Sequence, residues 1–360
     1  MQSFFLFIRD VARSALSMLN SASAWMLFSF LIAGVIHEFI NPETMRKSSL
    51  GSKKLSGIFW TTVSGMCIPI CSCGTIPLGI SMYYSGAYLG PVLTFMTSTP
   101  MINPIAIILA YGLLGRQIAT IYVLTGFFAP MLVGVIANRC GGEELYYKPA
   151  YENQQPRLQL KFKKPPVSER ILKGIRWSYS ELAMAVSKYT VSGMLIAGVL
   201  FTVVPQSAIQ RYLGEPGMVS LLGITVVAAL MYVCAVGHIP FIAALVASGA
   251  APGVAITFLM AGCATNIAEL LSIRKIIGKR AMLLYSVSVI TISELVGYLT
   301  NRLLPNFEPV LDYDAVTHSI RNANVLILEL PDWLKTLCSM VLVVYALIAL
   351  VRWVKKKARE

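Results

Sequence analysis

The feature that most limits what this chain can fold into is an internal repeat. A shift of 163 positions aligns Gly74–Asn103 with Gly237–Asn266 without a gap, and ten of those thirty positions are identical. Ordinary residue frequencies would give about two or three. The same shift pairs Thr62 with Thr225, Cys71 with Cys234, Gly115 with Gly278, Tyr122 with Tyr285, and Asn138-Arg139 with Asn301-Arg302. Upstream, Leu31–Val35 answers Leu195–Val199 with one residue of slippage. The chain is therefore read as two copies of one unit, 22–139 and 186–302.

The unit is apolar. Hydrophobic residues make up 56% of the 360 and charged residues 13%, against about 25% charged in a soluble domain. Ile118–Asn138 holds no ionisable side chain but Tyr122, and Ala281–Gly297 only Tyr285 and Glu294. Such runs match the ~20 residues a helix needs to cross the hydrocarbon. A soluble core hides one such helix, not this many, so the fold class is an all-α polytopic membrane protein.

The net charge of +13 invites a nucleic-acid reading. The bases, however, collect in short connections between apolar segments, as cytoplasmic loops do, and no soluble module gathers bases with aromatics. Nucleic acid is excluded as a partner. Arg9, Asp10 and Arg13 interrupt any signal-peptide core. Phe5, Ile8, Ala12, Ala15 and Leu19 fall at helical spacing, which predicts an interfacial amphipathic helix over 1–21. Seven cysteines in so apolar a chain do not read as a secreted disulfide scaffold.

Charge also sets the relation between the copies. Glu43–Ser56 carries Arg46, Lys47, Lys53 and Lys54, whereas its counterpart Pro205–Gly217 has only Arg211 against Glu215. In copy two Arg274, Lys275, Lys279 and Arg280 crowd a connection whose counterpart has Arg116 alone. Arg139–Arg176 holds nine bases against four acids, and Leu303–Lys335 five acids against two bases. Equivalent loops thus fall on opposite sides under the positive-inside bias, which is an inverted-topology repeat.

A path follows. A helix over Ala22–Phe39 runs inward, and a re-entrant helical hairpin over Ser56–Ser85 enters from the cytoplasm and returns to it. A broken transmembrane helix over Leu89–Leu114 runs outward, and Ile118–Ala137 returns. Copy two repeats this upside down over Thr190–Tyr298. The remainder is a basic cytoplasmic linker with an interfacial helix (140–185), an extracytoplasmic segment (303–333), and a last helix with a basic tail (334–360). The N-terminus is expected outside and the C-terminus in the cytoplasm.

Four segments break the helical pattern inside apolar sequence: Pro69–Pro77, Thr99–Pro104, Cys234–Pro240 and Gly262–Asn266. Proline removes a donor and glycine permits the bend. At membrane depth the freed backbone groups need protein or a water-filled cavity, and half-helix ends there can address a substrate or ion. The candidate substrate-binding residues are Cys71, Cys73, Thr75, Thr99, Asn103, Cys234, His238, Cys263, Thr265 and Asn266. Asn103 and Asn266 occupy equivalent places and suit either a structural role in the broken helix or substrate contact. The same two roles are open to Thr99 and Thr265.

The cysteines suit a thiophilic ligand or simple burial as small apolar residues. Isolated Cys67 is read as the latter. C-x-C alone is far from a zinc-ligand set, and no metal is assigned. His238 fits a proton carrier, a soft-metal ligand or a hydrogen-bonded core histidine. Glu269, where copy one has Ala106, is the candidate coupling residue, because an intramembrane carboxylate is costly unless used. It could instead pair with Arg274 or Lys275 near the cytoplasmic end. Glu294 is a weaker candidate, and Glu38 beside His37 is read as interfacial.

Cys71-Ser-Cys-Gly-Thr-Ile-Pro77, Thr99-Pro-Met-Ile-Asn-Pro104, Gly237-His-Ile-Pro240 and Ala261–Asn266 together resemble the ArsP-type permease family. The resemblance covers most of the chain. It implies a permease of a bacterial or archaeal cytoplasmic membrane, and for characterised members efflux of trivalent organoarsenicals such as methylarsenite. On that expectation the chain is a secondary transporter, not an enzyme, working by alternating access. Its partners are a metalloid substrate, the bilayer, and a coupling proton. A homodimer through the outer helices is compatible but not required. There is no Walker motif, and no cofactor is expected. Two alternatives stay open: a permease for a soft metal ion or small sulfur compound, and a transmembrane thiol reductase using Cys71 and Cys234, against which stands the lack of a C-x-x-C.

Overall fold

The computed structural model describes residues 2–39, 48–68, 72–149, 166–184, 186–188, 190–192, 195, 217–230, 233–247, 249–305, 307 and 331–357. Every regular element among them is helical. Residues 196–216, expected to hold most of the first helix of copy two, lie outside the described residues. So do 308–330 of the acidic segment and the hairpin tip at 69–71.

The chain opens with α1 (Gln2–Phe39). Then come α2 (Leu55–Cys67), α3 (Ser72–Tyr84), α4 (Leu89–Met101), α5 (Pro104–Leu113) and α6 (Gly115–Cys140). After the linker helix α7 (Val167–Trp177) the second set is α8 (Met218–Leu230), α9 (Ala235–Ala247), α10 (Pro252–Ala264), α11 (Ile267–Ile276) and α12 (Lys279–Leu303). The last helix is α13 (Asp332–Lys357). The first four helices of each set begin and end at positions 163 apart. The repeat read from residue identities is thus also a repeat of helix boundaries.

The same residues fix the same contacts in both sets. Asn138 Oδ1 accepts the Gly90 N–H at 2.9 Å, and Asn301 Oδ1 accepts that of Gly253 at 2.7 Å. One turn on, the Thr94 hydroxyl donates to Pro130 O and the Thr257 hydroxyl to Ser293 O, each at 3.2 Å. These bonds hold α4 against α6 and α10 against α12 through small residues at the crossing, the usual device where lipid supplies no hydrophobic drive. Both loops after α3 and α9 turn on a glycine in the left-handed region, Gly86 (φ 94°) and Gly249 (φ 97°).

Between the sets the contacts are reciprocal. α5 packs on α9 and α3 on α11, while α4 meets α10 and α6 meets α12. The ends that meet are informative. The Glu144 carboxylate, just beyond the C-terminus of α6, accepts the N–H groups of Arg280 (3.1 Å) and Ala281 at the start of α12. Gly278, at φ 156°, leaves room for that carboxylate, since a side chain there would fall on it. The end of α6 therefore sits against the start of its own counterpart.

The hairpin arms α2 and α3 have thirteen residues each, about 20 Å of rise, short of the ~30 Å hydrocarbon. Near its two ends the Tyr88 N–H donates to Leu50 O at 2.9 Å, so the chain leaves this hairpin at the level where it entered. The Tyr83 hydroxyl donates to Glu144 O at 3.0 Å. Thus 48–52, 83–90, 141–148 and 278–281 gather at one end of the bundle, and all but 83–90 belong to the basic connections.

The N-terminus differs from expectation. Residues 1–21 and 22–39 were read as two elements, but 2–39 form one helix. No glycine or proline occurs before Gly34 to stop it. α7 docks on this helix where Gly34 and Gly174 bring the backbones together. Ser178 donates to Phe30 O at 2.5 Å, Tyr179 to Leu27 O at 2.9 Å, and Lys173 pairs with Glu38 at 3.5 Å. Val167 and Leu172 stay exposed on α7. α13 lies on the other part of α1, tied by Ser339 to Asn20 Oδ1 (2.5 Å) and Ser23 (3.1 Å).

Two of the long elements, α6 and α12, and the apolar part of α13, are long and apolar enough to span a membrane. Among the described residues, up to five spans result if each bent pair, α4–α5 (42°) and α10–α11 (40°), counts as one.

Candidate functional site

The two bends are built from asparagines. In copy one Ile102 and Asn103 are extended, and Pro104 opens α5. A residue before proline is pushed out of the helical region, so the break is local and obligatory. Asn103 Oδ1 then accepts the Ala106 N–H at 2.9 Å, a helix N-cap. Copy two has no proline there. Thr265 closes α10 by returning its hydroxyl to Ala261 O at 2.7 Å, and Asn266 Oδ1 caps α11 through the Glu269 N–H at 2.9 Å. The structural role of both asparagines is present in the geometry.

The two caps are not equivalent. The Asn266 amide nitrogen also donates to Glu269 Oε2 at 3.1 Å, and the Tyr285 hydroxyl lies 3.1 Å from Glu269 Oε1. Glu269 is fully buried. Arg274 and Lys275, its alternative partners from sequence, are exposed and make no ion pair with it. The carboxylate is held by two neutral donors instead. Copy one has alanine at the equivalent position 106. Hence Asn103→Ala should cost about 1 kcal/mol, the usual loss of a cap. Asn266→Ala should cost that plus about 1–3 kcal/mol for stripping a donor from a buried carboxylate. Thermal unfolding in detergent checks the order, and equal losses would contradict it.

Tyr285 reaches across to copy one, where it lies 3.3 Å from Met96 O and beside the Thr97 hydroxyl. Its counterpart Tyr122 donates to Met101 O, the last carbonyl of α4, and faces Cys263 and Cys234 of copy two. Both tyrosines are fully buried. The sequence marks them as a repeat identity and as ionisable residues in apolar runs, and they were not among the site candidates. The signal was there, since each is the ionisable residue both copies keep inside a run long enough to span.

Cys263 is buried near the end of α10, and the Ala235 N–H at the start of α9 reaches its sulfur. Cys234, one residue earlier, is partly buried and close to Cys263. Neither cysteine is in a disulfide. His238 Nδ1 lies 3.2 Å from Cys234 N, and its ring packs 6.0 Å from that of Phe258. That ring nitrogen is thus engaged by its own helix start. The structure brings together Cys234, His238, Cys263, Thr265, Asn266 and Glu269 of copy two with Tyr122, Met96 and Thr97 of copy one.

The copy-one candidates are placed as follows. Thr75 is buried on α3 and Thr99 on α4, where the Thr99 hydroxyl has no partner among the described residues and lies opposite Gly65. Cys71 lies outside the described residues, as does the side chain of Cys73. Cys67, read as a buried filler, is exposed at the end of α2. Among the described residues no three His, Cys, Asp or Glu side chains come together as a metal centre.

Glu294 makes a second buried carboxylate. Its Oε1 accepts from the Thr225 hydroxyl at 2.5 Å, and its Oε2 is buried without a partner among the described residues. In copy one the equivalent residues are Met131 and Thr62, and Thr62 donates to Ile58 O at 3.0 Å instead. Glu294→Met should therefore let Thr225 turn back on its own helix and raise stability by about 1–2 kcal/mol, since an unpaired buried oxygen is removed. A lowered unfolding midpoint would contradict this.

Comparison with known proteins agrees with this architecture. A UPF0718 protein of Methanocaldococcus jannaschii is 27% identical over 334 residues, 78% of this chain and 91% of its own. UPF0718 protein YcgR of Bacillus subtilis is 24% identical over 293 residues, 81% and 96% of the two chains. A Streptococcus mutans protein, provisionally named as a subunit of a two-component membrane permease complex, is 22% identical over 260 residues, 72% and 84%. No solved structure matches the chain. Residues 8–302 match the ArsP_1 family. With its apolar spans and paired bent helices, the chain belongs to that family of predicted permeases.

Proposed function

We propose that this permease is a secondary transporter that exports a thiophilic substrate, a trivalent organoarsenical such as methylarsenite, by alternating access at a mid-membrane site between inverted repeats. The observation that carries the reading is the junction of the copies at their breaks. There a tyrosine from each set closes on the broken helix or the thiols beside it. A site made of both sets changes when one set moves against the other, which alternating access requires.

Three further observations support parts of it. The Glu144 contact places the end of α6 against the start of α12, as antiparallel counterparts would lie. Cys234 and Cys263, close together beside a helix N-terminus, offer soft ligands that suit As(III). Glu269, buried and without a cation partner among the described residues, is the coupling group: it takes a proton in one state and yields it in the other. On this reading the cytoplasmic membrane holds the protein with its N-terminus outside and its C-terminus inside.

Uptake into everted vesicles tests the proposal, with methylarsenite, arsenite, zinc and sulfite offered with and without a proton gradient. Methylarsenite should accumulate, and more so with the vesicle interior acid. Accumulation of zinc or sulfite alone would replace the substrate, and no accumulation of any would remove the transport reading.

A further inference from the structure

The groove between α2 and α6, at the end of the bundle where the basic connections gather, holds a cavity of about 360 Å³. It is lined by Lys53, Leu55, Ile58, Val135, Asn138 and Arg139. Both cations are exposed, and neither has an acidic partner among the described residues. The nearby acids are taken: Glu143 pairs with Lys148 at 3.8 Å, and Glu144 caps α12. Asn138, buried at the inner end, accepts from the Gly90 N–H through its oxygen, and its Nδ2 has no partner among the described residues. The cavity is therefore positive at its mouth and offers no acceptor charge.

Away from the cations the same groove is apolar and exposed. Leu55 and Phe59 lie one turn apart on α2, with Phe128, Leu132 and Val135 along α6. Phe59 packs edge-on against Phe127 at 6.0 Å, so one wall runs continuously across both helices. A charged mouth leading onto an exposed hydrocarbon track matches a ligand with an anionic head and apolar tails.

Copy two differs from copy one at the equivalent residues. Where Val135 leaves space, copy two has Tyr298. Its hydroxyl takes the guanidinium of Arg302, the counterpart of Arg139, at 3.2 and 2.8 Å. Where Lys53 stands, copy two has Pro216. The repeat keeps the arginine and the asparagine in both copies but changes the residues beside them.

We infer that the α2–α6 groove binds one anionic phospholipid, with its phosphate between Lys53 and Arg139 and its acyl chains along Phe59, Phe128 and Leu132. The occupant is a lipid rather than a free anion because the apolar track continues directly from the cations.

The purified full chain in neutral detergent, titrated with phosphatidylglycerol, phosphatidylcholine or inorganic phosphate while its unfolding midpoint is followed, tests this. Phosphatidylglycerol should raise the midpoint saturably, and phosphatidylcholine and phosphate should not. The Lys53→Gln/Arg139→Gln pair should weaken the apparent affinity by at least about tenfold, at roughly one counter-charge per basic residue. Val135→Tyr, which keeps both charges and fills the space with the residue of copy two, should weaken it similarly, and Arg302→Gln should leave it unchanged. An equal rise with inorganic phosphate would make this a small-anion site. An undiminished rise in both the charge and the Val135→Tyr variants, or no rise at all, would overturn it.

Discussion

Glu269→Gln is expected to leave the protein folded and to reduce gradient-driven accumulation to the level seen without a gradient. Glutamine has the size of glutamate and keeps an oxygen for the Tyr285 hydroxyl, which is 3.1 Å from Oε1 in the native site. Its amide nitrogen then faces the Asn266 nitrogen, now 3.1 Å from Oε2, so one bond is lost at about 1 kcal/mol. Glu269→Ala removes both acceptors and should cost about 2–4 kcal/mol, which makes it the poorer test of function. Downhill exchange of substrate should persist in Glu269→Gln, because the thiols and both tyrosines remain. Only loading and release of the proton are gone. Counterflow and proton-driven uptake in the same vesicle preparation separate the two. Uptake that keeps its full dependence on the gradient would show that coupling lies elsewhere, whatever becomes of the substrate assignment.

Gly253→Leu should be the most damaging single change in the helical frame, at more than about 4 kcal/mol. A side chain at Gly253 falls on Gly297 O and on the Asn301 carboxamide, while the Gly253 N–H is bonded to Asn301 at 2.7 Å. Making room separates α10 from α12 and also breaks the Thr257 bond to Ser293 O. No flexible side chain can yield, because one of the obstacles is backbone. Gly90→Leu should cost less in copy one, where the obstacle is the Asn138 side chain rather than backbone. Gly217→Ala is the control, with open space around it, and should stay within about 0.5 kcal/mol. Size-exclusion profiles and thermal unfolding in detergent distinguish them. A monodisperse Gly253→Leu protein with the native midpoint would show that this close crossing is not a requirement of the fold.

Much of the frame was legible because the repeat exposes its own rules. A glycine, a threonine or an asparagine kept at both positions of a 163-residue shift marks a contact that both copies need. Gly90 with Asn138 and Gly253 with Asn301 are such pairs. The breaks were readable for the same reason, since proline, glycine and an asparagine cap have local consequences. The partners of the unshared residues were not readable. Nothing local says that Glu269 meets Tyr285 rather than Arg274, because the choice depends on how α11 packs against α12. That Tyr285 also touches α4 is a property of the meeting of the copies. The continuity of α1 was missed for a different reason. A change from amphipathic to apolar character looks like a boundary, yet the backbone carries no breaker there. Glu144 lies in a polar linker, and only the approach of α12 makes it a cap.

The account rests on two copies that lie in opposite directions through the membrane, and Arg116 and Lys279 test that most directly. They are counterparts in the repeat, each exposed at the turn into its long helix. In a background without other cysteines, Arg116→Cys and Lys279→Cys are each labelled with a membrane-impermeant maleimide in intact cells and in everted vesicles. The account predicts that position 116 reacts from outside the cell and position 279 only in everted vesicles. Reaction of both positions from the same side would contradict it.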